Sequence, residues 1–372
     1  MKATADETTF RRSVSVVQNK AEGECRHKLR AGKAQQKGKI AMNLKMRLTV
    51  AVLLAGALVP AAHAGSLSTQ VIGMFPQNAG ELAYVDLRQA RSLTWFPQLQ
   101  EQLLPDRLRQ FEQFLASAGA DPNSQVEELA WALVPTGPPA SAAQSNAVPS
   151  SQGIVGVALG PFWPEKVEAY FKAQQLAVVK VRDYSLYPFG SGSGDLFFCF
   201  IDSNTAIFGQ RKALEKLIAV RDGEEQSLLS NLELAPLISD VNGSGMVWAV
   251  LSAPYARLAM QQLAPQTAEF PQAQQIGSKL RALTIEITAG SSIQTYFEAV
   301  CASPNDASAL AALLQAGLLY QRYQATDSNP HLAAMLDQAE VTPSGDRLDV
   351  TLGLTDDQAV DLIQRSTSLL RL

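Results

Sequence analysis

Histidine and cysteine are scarce in this 372-residue chain, three of each. Beyond residue 64 only His331, Cys199 and Cys301 remain. One histidine excludes a metal site built on two imidazoles. It also leaves a catalytic histidine with no specific partner in view. Its position just inside a helix start reads as a surface or half-buried helix residue. No phosphate-binding loop or dinucleotide fingerprint is present. "GSGSG" at 190–194 lacks the central serine of a nucleophile elbow, because Gly192 stands there, and it lies between two strand patterns. It reads as a hairpin turn. "FGQRKALEKL" offers a strand, one glycine and a basic helix start, a weak anion-holding pattern. These absences leave no catalytic residue, no cofactor-binding residue and no metal ligand to nominate.

Long apolar runs are also missing. The longest, Leu48 to Leu58, is closed by Pro60 and His63, short of the roughly 17–25 residues that cross a bilayer. With Lys45 and Arg47 before it and Ala62-His63-Ala64 after it, the stretch 42–64 reads as a secretory signal peptide cleaved after Ala64. No cysteine follows the cleavage site, which argues against a lipoprotein. Residues 1–41 show no apolar periodicity and read as a disordered extension or a wrong gene start.

Charge follows the same division. Residues 1–47 hold twelve Lys/Arg and four Asp/Glu of the chain's 31 and 35. The remainder is 19 basic and 31 acidic residues, a net charge of −12 beyond the signal. Such a surface repels phosphate backbones, so no nucleic-acid partner is expected. Cys199 in "DLFFCFID" and Cys301 in "TYFEAVCAS" sit among apolar residues and read as buried thiols. An oxidising compartment leaves a disulfide between them open.

What is present is an alternation of strand and helix patterns. The first run is "ELAYVDL", a helical region from Leu99 to Ala118 with Leu108, Phe111, Phe114 and Leu115 on one stripe, then "LAWALVP" and "GIVGVALG". It continues with the helix "PEKVEAYFKAQQ", strands to "TAIFG", and the helix "RKALEKLIAV". From Gly245 the order repeats: "MVWAVL", a helical region, the hairpin "LRALTIEITAG"/"IQTYFEAVCAS", two helices, a hairpin and a last helix. The reading is an α+β fold of two similar units, each an antiparallel sheet with helices packed on one face. Residues 65–222 form the first unit, 223–244 a linker and 245–372 the second.

Many polar residues are accounted for by helix starts. Ser124 with Glu127, Thr355 with Gln358, and Ser303 with Pro304 and Asp306 fit capping patterns. Asn329-Pro330 starts another helix, and Asp356 and Asp357 suit a first turn. The aromatic pairs Trp95-Phe96 and Phe162-Trp163 lie beside prolines at element boundaries. Buried, they pin helix ends. Exposed, they form the candidate interaction surface.

At "NTAIFGQRKALEKLIAVRDG", "GMVWAVLSAP" and "ASALAALLQAGLLYQRYQ" the chain resembles a family of exported bacterial proteins with a signal peptide and duplicated α+β units. The resemblance runs most clearly from Asn204 onward, and it brings no activity or functional residue. The functional expectation is an exported envelope protein, periplasmic or secreted. It is expected to act as a non-enzymatic binder of an envelope protein or a glycan, without a cofactor. The alternatives are a hydrolase using neither histidine nor metal, and an envelope protein held at the membrane by an uncleaved signal.

Overall fold

The computed structural model describes residues 65–93, 96, 116, 121–137, 151–189, 196–263, 275–289, 292–328, 330–355 and 358. The signal-like stretch, the stripe Leu108–Leu115, the "GSGSG" turn and the last helix apart from Gln358 lie outside the described residues.

The strands are β1 (Glu81–Asp86), β2 (Glu128–Pro135), β3 (Gln152–Leu159), β4 (Val179–Val181), β5 (Tyr184–Phe189), β6 (Leu196–Phe200) and β7 (Thr205–Gln210). After them come β8 (Val247–Ser252), β9 (Leu280–Ala289), β10 (Ile293–Cys301), β11 (Glu340–Ser344) and β12 (Arg347–Leu354). All twelve join one antiparallel sheet, in the order β11-β12-β10-β9-β8-β1-β2-β3-β7-β6-β5-β4. The α+β class and the antiparallel pairing are as expected. The two expected sheets are joined, because β1 pairs with β8 along Glu81↔Leu251 to Val85↔Val247. Outward from this seam both halves run in one order: first strand, hairpin, then the second strand of the last hairpin.

The helices are α1 (Thr69–Ile72), α2 (Leu87–Arg91), α3 (Pro122–Gln125), α4 (Pro164–Ala173) and α5 (Arg211–Arg221). The second half adds α6 (Leu234–Val241), α7 (Ala253–Leu263), α8 (Pro304–Ser328) and α9 (Pro330–Asp337). Expected on one face, they lie on both. Side chains alternate along a strand, and β6 and β7 are apolar on each side. Cys199 and Ile207 pack with Leu214, Leu217 and Ile218 of α5. Phe198, Phe200 and Phe208 face the other way, toward Val167 and Phe171 of α4. Two apolar faces need two covers.

The core on the first of these faces is centred on the seam. Leu82 and Tyr84 of β1 and Trp248 and Val250 of β8 are wholly buried there. Tyr84 and Trp248 are cross-strand partners whose rings stack at 5.4 Å and 22°. The segment 223–244, read as a linker, supplies Leu228, Leu234, Leu237, Ile238 and Val241 to this core. Its apolar residues at 234, 237, 238 and 241 have helical spacing, and α6 lays them down as one face. The residues after the signal also contribute, through Leu67, Val71, Ile72 and Phe75. The backbone of Leu67 is held at both ends by Asn242, whose Oδ1 accepts its N–H at 2.9 Å and whose Nδ2 donates to its carbonyl at 2.9 Å.

Two of the expected caps form. Ser303 Oγ accepts from Asp306 N at 3.2 Å, and Thr355 and Gln358 bond reciprocally at 2.8 and 3.3 Å. The third does not: Ser124 Oγ donates to Asp121, and Asp121 is the residue that accepts from the turn, at Asn123 N. "LAWALV" is a strand, so no helix follows Ser124 for it to cap.

The Trp248 indole N–H is buried without a hydrogen-bond partner among the described residues. Trp248→Phe therefore removes an unpaired donor while keeping a ring in the stack. In urea unfolding it should cost far less than Trp248→Ala, for which about 3–5 kcal/mol is expected. Gly317 lies inside α8, and a Cβ there would meet nothing within 4 Å. Gly317→Ala should stabilise the fold by about 0.5–1 kcal/mol, read as a raised unfolding midpoint.

Candidate interaction surface

The four nominated aromatics are not brought together as one patch. Phe162 is buried against Ala158, Ala206 and Phe200. Phe96 is buried as well, and Trp95 lies outside the described residues. Trp163 alone is exposed, at 46%, with the Lys166 ammonium 4.0 Å from its ring centroid. It precedes Pro164, the first residue of α4. The Pro-flanked pair is split because consecutive side chains point to opposite sides: one ring pins the helix start and the other lies over its surface.

A larger apolar surface lies on α8. Ala307, Leu310 and Ala311 are buried, where the helix packs on β10, β11 and β12. Further along, Ala316, Leu319, Tyr320 and Tyr323 are exposed at i, i+3, i+4 and i+7, the spacing of one helix face. Leu319 is 63%, Tyr320 55% and Tyr323 79% exposed. Beside this stripe a groove of about 330 Å³ runs between α8 and the α9–β11 segment, with Leu318, Leu336, Ala339 and Val341 in its lining. Arg322 and Asp337 join across it at 2.8 Å. The sequence carried a signal for this surface. "ASALAALLQAGLLYQRYQ" is apolar around more of the helix than one packed face requires.

A second concavity, of about 580 Å³, opens where β1 and β9 begin and β2, β8 and β10 end. Arg257, Lys279 and Arg281 line it against the single carboxylate of Glu233. The cleft is thus locally positive in an acidic chain. Its two serines are engaged by backbone: Ser252 Oγ donates to Gly80 O at 2.9 Å and Ser278 Oγ to Gln275 O at 2.6 Å. Neither hydroxyl is bonded to a base that would activate it.

Polar side chains also cluster on β10 and β12. Tyr296 donates to Asp349 Oδ1 at 2.5 Å, and Arg347 pairs with Glu298. Burial raises the Glu298 carboxyl above its ordinary value against the opposing pull of Arg347. Each of these four groups thus has a partner in the network. Among the described residues no group of three His, Cys, Asp or Glu is placed to hold a metal ion.

The sheet edges suit strand addition poorly. β4 is three residues long, and β11 carries Pro343, which has no N–H to donate. A partner strand therefore finds little to pair with.

No protein-family model matches the chain, and no curated protein matches it. Solved structures give a distant likeness. Crystal form I of TP0453 superposes with a TM-score of 0.45 at 11% identity, covering 81% of this chain and 98% of that one. Crystal form IV gives 0.46 at 11%, with 81% and 97% covered.

Cys199 and Cys301 are buried free thiols, seven strand spacings apart in the sheet order. At about 4.8 Å per spacing they cannot approach to form a bond. Burial pushes each thiol up to about 11. The chain from Gly65 should therefore react slowly with an alkylating reagent at pH 8 when native. In denaturant it should take up two equivalents at once. A mass shift from an internal disulfide, or fast native labelling, would contradict the burial.

Proposed function

We propose that this chain is an exported, non-enzymatic protein of the bacterial envelope. It works in the periplasm or outside the cell, and binds a protein partner through the α8–α9 surface. The observation that carries the binding half is the exposed stripe Leu319, Tyr320 and Tyr323 beside its groove. Large apolar side chains gathered on one helix face are costly to leave in water and favour a partner that covers them. Tyrosine suits such a surface, since it buries a large area and keeps a polar tip. The groove fits an amphipathic segment with apolar anchors, and the Arg322–Asp337 pair supplies a polar rim.

Export rests on the stretch 42–64, with its basic start, short apolar run and Ala62-His63-Ala64 end. Among the described residues no helix is long and apolar enough to cross a membrane. The common order of strands on both sides of the β1–β8 seam supports reading 65–222 and 245–372 as copies of one unit.

The test is a photo-crosslinking residue placed at 319 or 323 in living cells, with position 232 as control. Leu232 is 92% exposed but lies elsewhere. A discrete protein adduct from 319 and 323, absent at 232 and lost with Tyr320→Asp, is the expected result. Equal labelling at all three positions would remove the binding reading. Turnover of a substrate by the purified chain, abolished by one point mutation, would remove the non-enzymatic one.

A further inference from the structure

The start of the described chain lies against an unusual set of acids. Gly65 sits so close to Tyr84 and Asp86 that a Cβ on it would fall 2.2 Å from the Tyr84 hydroxyl and 2.7 Å from Asp86 Oδ2. The nitrogen of Gly65 is one bond from the same Cα, so it lies within about 5 Å of both oxygens. It cannot drift far, because Leu67, two residues on, is clamped by Asn242.

Among the described residues the surroundings are short of positive charge. The Asp86 side chain is 4% exposed and that of Glu128 15%. Arg88 is shared among Asp86 at 3.8 Å, Glu127 at 3.4 Å and Glu128 at 2.6 Å, and is itself half exposed. Arg91 donates to the Val126 carbonyl at 2.5 Å and lies near Asp121, Glu127 and Asp86. Among the described residues, two guanidinium groups thus face four carboxylates, two of which are largely buried. The Tyr84 hydroxyl is wholly buried beside Glu128, yet it makes no hydrogen bond of ordinary geometry. Burial, followed by the Glu128 and Asp86 charges, holds its phenol well above the usual range. Burial raises the Glu128 carboxyl too, although Arg88 opposes it.

An unpaired buried hydroxyl and an excess of buried carboxylate ask for a cation with several donors. We propose that this cation is the α-ammonium group of Gly65, freed by hydrolysis of the Ala64–Gly65 bond, which docks among Asp86, Glu128 and the Tyr84 hydroxyl. The proposal rests on cleavage after Ala64. While the leader is attached, the same nitrogen is an amide with one N–H and no charge. After cleavage it has three N–H donors and a positive charge at neutral pH. Only glycine fits at this position, since any side chain would collide with Tyr84 and Asp86. Leader removal then completes the seam from the inside, and the folded state is more stable after processing than before it.

The decisive comparison uses two chains ending at Leu372. One starts at Gly65, released by a protease that leaves no scar. The other starts at Ala64, which keeps a terminal charge but moves it about 3.8 Å along the chain. Urea unfolding at pH 7 should show the Gly65 chain favoured by roughly tenfold in its folding constant, the scale of one charge-assisted hydrogen-bond set. The difference should shrink in Glu128→Gln and in Asp86→Asn. Asp86 also caps α2 through Gln89 N, so Glu128→Gln decides if Asp86→Asn fails to fold. Equal stabilities of the two chains, or a difference that survives Glu128→Gln, would overturn the docking. A natural exported chain whose first residue is not Gly65 would instead overturn the cleavage after Ala64 on which it rests. Intact mass separates those two failures.

Discussion

The Tyr84–Trp248 stack at the β1–β8 seam is the contact on which the other parts of this molecule depend. Each ring is wholly buried, and each belongs to the first strand of its half of the sheet. Stacking of this kind contributes about 0.5–1.5 kcal/mol beyond the area it buries. Its larger effect is topological. The two strands are far apart in sequence, and bringing them together costs loop-closure entropy. Burial of Leu82, Val250 and the α6 side chains against the same face offsets that cost. Both Tyr84 and Trp248 place a polar atom in this core, and neither atom has a hydrogen-bond partner among the described residues. The seam is thus both the centre of the fold and the place where it carries unsatisfied polar groups.

From that seam the sheet grows outward in both directions to two poor edges, a three-residue strand and a strand with proline. Helices on both faces take up the apolar surface that the strands present. Of the large apolar side chains left exposed, three stand together on α8. Its first turns are buried on the sheet and its later turns lift a stripe of leucine and tyrosine into solvent. The positive cleft at the strand ends is a different kind of surface, in which three cations converge without an activated nucleophile among its serines.

Much of the element order was legible in the sequence, because alternation and helical spacing are local properties. "LAWALVP", "GIVGVALG", "PEKVEAYFKAQQ" and "RKALEKLIAV" fall on strands or helices within a residue or two of the expected bounds. The segment 223–244 was misread for a physical reason: its acidic start and small residues resemble a linker, while its apolar face is too short to stand out. The candidate surface was legible only in part. Trp163 is exposed and Phe162 is not, and nothing in "GPFWPEK" distinguishes them. That choice depends on which face of β3 and β7 the chain leaves behind as it enters α4.

The sequence by itself determined the types of the elements, their caps at Ser303 and Thr355, the antiparallel hairpins and the acidic charge beyond the signal-like stretch. These follow from spacing, turn chemistry and composition, which act over a few residues. Only the tertiary structure decided that two sheets become one, that helices cover both faces, that Cys199 and Cys301 stand too far apart to bond, and that Gly65 lies against Tyr84 and Asp86. Each of these depends on pairs distant in the chain, and such pairs are selected by the burial of whole faces against one another. No local pattern encodes that choice.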